Sequence, residues 1–292
     1  MVFLPYFVSV YLFHNMKVPI ETVPLFPVLD EKLIALLRSL DPADWHKPTL
    51  ARLWTVKDIA AHLLDGNVRA IAGKHQHQPP PPAIPIQSYS GLVAYLNQLN
   101  AGWVLAMQRM SPTLLTDMLE TTGKQYSQIM AEADLFAPAP FGVAWAGEEQ
   151  SANWFHIARE YTEKWHHQQQ IRDALGVPGL MARELFYPCI DTFMHALPHT
   201  YRNTSTPKGT LLKIIISGQA GGQWYLQNTG TSWRLFKDQP ANTPDSEVSL
   251  TPEIAWKLFT KAISPETAIQ NSLITGSIVL ANTLFSTVAV MA

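Results

Sequence analysis

The chain has 292 residues, 47% of them hydrophobic and 15% charged, with a formal net charge of −2. That length suits two domains at about 100–200 residues each, and the apolar content excludes a disordered protein. A near-neutral charge with no basic stripe excludes the electrostatic footprint of a nucleic-acid binder, and one cysteine, Cys189, excludes an intramolecular disulfide or a CxxC site.

Residues 1–13 read MVFLPYFVSVYLF. This run is too short for a bilayer, which needs about 20 residues, and it lacks a cationic flank and a small-residue cleavage site. Met16 opens a more ordinary start, so residues 1–24 are expected to be an extension, with 1–15 an over-extended gene start or a surface tail. A weak signal anchor is the alternative. The expected setting is cytoplasmic, with no membrane partner.

Residues 30–40 carry leucine and isoleucine at helical spacing. After a connector, Thr55 caps a helix over 56–72, with Asp58 in its first turn. Four prolines after His77 forbid its continuation. Ser88 caps a third helix over 89–109, and Ser111-Pro112 starts a short helical stretch. Residues 121–147 read as mixed. A long helix is predicted over 148–175, stopped by Gly176-Val177-Pro178. Residues 182–199 can form a linking helix.

The period changes after residue 200. LLKIIIS over 211–217 is β-branched, and 223–227 and 232–236 flank Asn228-Thr229-Gly230 as a hairpin or meander. A strand over 247–250, a helix over 252–262 and an apolar helix passing into an extended tail close the chain. The expected architecture is a helical bundle over 25–178, followed by a small α+β domain over 179–292.

No Walker, GxGxxG, GxSxG or HExxH motif is present. Gly218 to Gly222 has the wrong spacing for phosphate and suits a turn. His75 and His77 suit a polar loop. On the long helix, at about 100° per residue, His156, Glu160, His167 and Gln170 all fall within about 60° of Glu163. Trp154, Ala158, Tyr161 and Trp165 gather opposite. Glu163 and His167 are an i,i+4 pair of metal-donor types. The same face also suits a solvated amphipathic helix, and His62 on the earlier helix suits a core histidine.

WTVKDIAAHLLD (Trp54, Thr55, Asp58, Ile59, His62, Leu63) and the later REYTEKWHHQQQIRDALG resemble the DinB-like metal-binding bundle of the mycothiol-dependent maleylpyruvate isomerase family. The last third is similar to the sterol-carrier-like α+β domain that follows the bundle there. The resemblance implies a DinB-like four-helix bundle plus that α+β domain. It also implies that His62, Glu163 and His167 hold one divalent metal, most simply zinc. Two imidazoles and a carboxylate leave a fourth position open, the catalytic arrangement. His166 would stand beside the site, and Glu160 would orient a ligand histidine or act as a base.

The implied cofactor is a low-molecular-weight thiol, mycothiol or an analogue. The implied reaction adds its thiolate to a cis-enone, allows rotation and eliminates it, or transfers the thiol to a small organic acid. Cys189 is not needed for this. A dicarboxylate substrate needs a cationic clamp. Arg234 on a predicted strand is one candidate, and Arg52, Arg69 and Arg159 are others. The competing reading is a non-catalytic small-ligand or lipid binder using Trp224, Tyr225, Trp233 and Phe236. A third reading is a stress or regulatory protein with a closed four-ligand site completed by His166 or Glu160. The chain is expected to act as a monomer or homodimer on a small molecule.

Overall fold

The computed structural model describes residues 17–77, 82 and 85–291. Residues 1–16 of the expected extension over 1–24 lie outside them, and in its remainder Ile20 and Thr22 are buried. The first part is helical: α1 (Phe26–Arg38), α2 (Val56–Lys74), α3 (Tyr89–Met107), α4 (Pro112–Glu132) and α5 (Asn153–Leu175). No helix among the described residues is long and apolar enough to cross a membrane.

Local chemistry explains the helix boundaries. Thr55 and Asp58 form a reciprocal capping box at α2, and the free Asp58 oxygen accepts from Gln108 Nε2 at 2.6 Å. Asp58 therefore fixes the start of α2 and the end of α3 together. Gly176, at φ +67°, ends α5, and the Val177 N–H returns to the Arg172 carbonyl at 2.9 Å. α5 starts five residues later than its sequence suggests, because residues 144–146 form a separate 3₁₀ turn and Ala152 bridges to Pro138.

The mixed reading of 121–147 is corrected over its first part. α4 runs unbroken to Glu132. Its interior Gly123 is weak for a helix, but a Cβ there would meet Asp30 Oδ2 at 2.7 Å. The glycine lets α1 approach closely. Thr116, Thr121 and Thr122 return their hydroxyls to carbonyls four residues back, so their polarity is absorbed within the helix.

α1, α2, α4 and α5 pack together, and α3 lies on α2. Lys164 of α5 ties them. Its Nζ donates to Asp30 of α1 and Asn67 of α2, each at 2.9 Å, and stands 4.5 Å over the Tyr126 ring of α4.

Beyond α5 come α6 (Arg183–Met194) and α7 (Leu197–Thr200), then a five-stranded sheet. Its strands are β1 (Leu211–Ile216), β2 (Gly222–Asn228), β3 (Trp233–Phe236), β4 (Ser246–Leu250) and β5 (Leu273–Gly276), in the order β3-β2-β1-β4-β5. β1 to β3 form the expected antiparallel meander, and β4 pairs with β1 in parallel. α8 (Pro252–Phe259), α9 (Pro265–Gln270) and α10 (Ile278–Leu284) complete the fold. The sequence reading assigned nothing to α9 or β5, which are short and largely exposed. The result is a helical region followed by a small mixed α+β region.

The main core crosses from one region to the other. Trp165 of α5 packs on Phe186 of α6 and Trp256 of α8, with ring centroids 5.7 and 6.1 Å away. The Tyr161 hydroxyl donates to the Leu185 carbonyl at 2.7 Å. The aromatic side of α5 thus faces the C-terminal part, which leaves its other side for polar residues.

Candidate metal centre

That polar side meets α2. His62, Glu163 and His167 each offer a donor atom within 4.8 Å of the other two, the one such group of three among the described residues. Glu163 Oε2 and His167 Nε2 are 3.5 Å apart. Two donors on one tetrahedral zinc, at about 2.0–2.2 Å from it, stand about 3.4 Å apart. The spacing therefore fits one small divalent ion after a modest contraction.

Each ligand candidate is oriented. Gln170 Oε1 accepts from His167 Nδ1 at 2.9 Å, which turns Nε2 toward Glu163. His62 packs under Trp54, with ring centroids 4.8 Å apart, and its buried Nδ1 has no hydrogen-bond partner. One of its ring nitrogens lies within 4.8 Å of the Glu163 and His167 donor atoms, and an imidazole so placed is a donor type that suits a cation. The solvated-face alternative for α5 does not describe this helix: residues 164–172 are all buried.

The electrostatics keep His62 neutral and Glu163 ionised. Burial, reinforced by charge on His167, holds His62 well below the usual imidazole range. Burial pushes the Glu163 carboxyl up, but the hydrogen bond from His167 and the charges of His166, His167 and Arg159 outweigh it and hold the group low. Metal ligands must be a neutral imidazole and an ionised carboxylate. His166 is also buried, with a pKa lowered to about 3 by burial first and His167 charge second. Its Nδ1 donates to the Thr162 carbonyl at 2.7 Å.

The profile of the mycothiol maleylpyruvate isomerase N-terminal domain matches residues 26–172, half of the chain. The chain belongs to this family. Two solved structures resemble this family member across most of its length. One is a histidine-to-alanine mutant of the mycothiol-dependent maleylpyruvate isomerase, at 11% identity and a TM-score of 0.53, covering 91% of this chain and 96% of that one. The other is the mycothiol-dependent maleylpyruvate isomerase itself, at 11% identity and a TM-score of 0.51, covering 84% and 90%. At that identity the likeness is one of fold. No match was found among curated proteins.

In this maleylpyruvate isomerase family member the other predicted residues are dispersed. Glu160 lies on the same face of α5 but is engaged elsewhere: it accepts from the Tyr126 hydroxyl at 2.8 Å and pairs with Arg159. Arg234 is exposed on edge strand β3, opposite Gln227, and no hydrogen bond or ion pair ties it to the histidine group. Arg52 is exposed in the loop before α2, and Arg69 is exposed and paired with Asp65 at 3.0 Å. His75 and His77 are exposed at the end of α2. Cys189 is buried, and burial first and the Glu163 charge second push its thiol well up. Of the aromatics named for a ligand binder, Trp224, Tyr225 and Trp233 are buried and Phe236 is exposed, and Trp224 Nε1 donates to Asp191 at 2.8 Å.

Sequence reasoning missed Gln170 as the partner of His167, although its i+3 position carried the signal. It also missed Trp54 as the ring over His62, although Trp54 belonged to the quoted motif.

Proposed function

We propose that the chain is a metal-dependent, low-molecular-weight-thiol-linked isomerase or transferase acting on a small organic acid, similar to maleylpyruvate isomerase. The juxtaposition of His62, Glu163 and His167 carries this reading. Three donors of these types leave one position open, which a catalytic site requires and a structural site fills. A divalent ion held there, most simply zinc, would supply a cationic position at which a thiol loses its proton at neutral pH.

The chain's own residues do the rest. His62 and His167 bind as neutral imidazoles, and Glu163 binds as a carboxylate. Gln170 fixes the His167 ring by accepting from Nδ1. Trp54 covers His62 and limits water at that ring. Glu160 acts as a positioning residue through Arg159 rather than as a base, since both its oxygens are engaged. Cys189, buried and held as a thiol, stays out of the chemistry. In this proposal residues 25–178 supply the site and 179–292 back it. The protein works as a monomer or homodimer on a small-molecule partner in the cytoplasm.

Elemental analysis of untagged protein tests the reading, beside His62→Ala, Glu163→Ala and His167→Ala. About one divalent ion per chain in the parent and none in the variants is the expected result. Cis-to-trans isomerisation of maleylpyruvate is then assayed with mycothiol, bacillithiol or glutathione. Unchanged metal content in all three variants would overturn the site, and metal-loaded protein inert with every thiol would overturn the activity.

A further inference from the structure

Four arginines compete in the sequence as clamps for an acidic substrate, and the structure separates them. Arg52, Arg69 and Arg234 are exposed. Arg159 is not: its side chain keeps 13% exposure, one turn before Glu163 on the same face of α5. A guanidinium carries five N–H donors. Among the described residues Arg159 makes one side-chain hydrogen bond, to Glu160, and its buried Nε has no partner.

His156 lies almost one further turn back. Its side chain keeps 12% exposure and its buried Nδ1 is also unpartnered. The other ring nitrogen stands 3.8 Å from Glu160 Oε1, beyond hydrogen-bond reach. A buried polar nitrogen left without a partner is uncommon in a folded protein. Two of them on one helix face call for a reason, since on the same helix the Lys164 ammonium is held by two oxygens.

Phe141 supplies a roof. It is 56% exposed, meets the His156 ring edge to face at 4.9 Å, and lies 5.4 Å from the Arg159 guanidinium carbon. Tyr126 and Glu160 support the arginine from within. Glu163 follows Arg159 and His156 by about 6 and 10 Å along the helix axis, at about 1.5 Å per residue. That is the scale of a small organic acid.

We propose that Arg159 and His156, roofed by Phe141, bind a carboxylate of the substrate whose reacting end lies at His62, Glu163 and His167. The proposal rests on the reading of those three residues as the reactive centre, and it makes Arg159, not Arg234, the clamp. Glu160 engages one Arg159 N–H and offsets its charge, so the remaining N–H donors hold the carboxylate by hydrogen bonding, and a cation at the three-residue group would supply the net positive field.

Calorimetric titration with maleate, a small dicarboxylate, tests this without turnover, on metal-loaded and metal-free protein. Arg159→Gln should weaken binding at least tenfold with metal content unchanged. Arg159→Lys should recover part of the loss, and Phe141→Ala should weaken binding less. If Arg159→Gln does not fold, His156→Ala carries the same test. No maleate binding by the parent would overturn the proposal, as would unchanged affinity in the Arg159 or His156 variant, or a loss that follows Arg234→Gln instead. A parent that binds maleate but no metal would refute the reactive centre and leave the anion subsite standing.

Discussion

His62 of α2 and His167 of α5 meet edge to face, with ring centroids 4.6 Å apart. The contact joins two helices whose sequences are far apart, and Trp54 closes it from outside, 6.1 Å from the His167 ring. Metal affinity should therefore depend on whatever sets the attitude of these rings.

Gln170 is the first such group. Gln170→Leu removes the acceptor of His167 Nδ1 and keeps the volume. Metal affinity should fall about 10–100-fold, the usual cost of losing a partner that orients a ligand. Competition with a chelator of known affinity measures it, and an unchanged constant would show that Gln170 does not orient the ring.

Lys164→Met removes one partner of a buried ion pair and leaves Asp30 and Asn67 facing each other's space. Stability should fall by about 3 kcal/mol in urea unfolding. Gly123→Ala pushes on the same Asp30 carboxylate. The double variant should lose less than the sum of the two, because both act through Asp30. Strict additivity would separate them.

His195 provides a pH dependence away from the candidate metal ligands. Burial first, and Lys237 in part, hold its imidazole below the usual range, while Asp191 opposes them. Its ring packs on Phe155 and Trp154. The folded protein therefore keeps His195 neutral where the unfolded chain, with a pKa of about 6.5, takes up a proton. Stability from this group is complete above about pH 6.5 and is lost as pH falls below it, at up to about 1.4 kcal/mol per pH unit. His195→Phe should flatten the stability profile between about pH 7 and 5, and a profile of unchanged slope would refute this.

Cys189 should resist thiol reagents in the native protein, since it is buried and its thiolate is disfavoured. Labelling should appear only with unfolding. Rapid labelling of native protein would place the thiol in an accessible position.

Much of the helical half is legible in sequence because its signals are local. Thr55 with Asp58, Ser88, Ser111-Pro112 and Gly176 mark ends that need no tertiary information. α4 is obscured because Gly123 serves α1, a neighbour that the local sequence does not reveal. The Glu163/His167 pair is visible as an i,i+4 spacing, whereas His62 reaches the pair only through tertiary packing, which is why family resemblance was needed to join it. The choice among arginines is invisible for the same reason: charge is written in the sequence, but burial is not.

The two-sided character of α5 has a practical meaning for engineering. Trp165 is clothed by α6 and α8, so the helix that presents Glu163 and His167 is seated on material from the far end of the gene. The site is not a detachable cartridge. A fragment ending at residue 178 would display Tyr161 and Trp165 to water, and transplanting the chemistry to another scaffold requires bringing along an aromatic bed for the back of that helix.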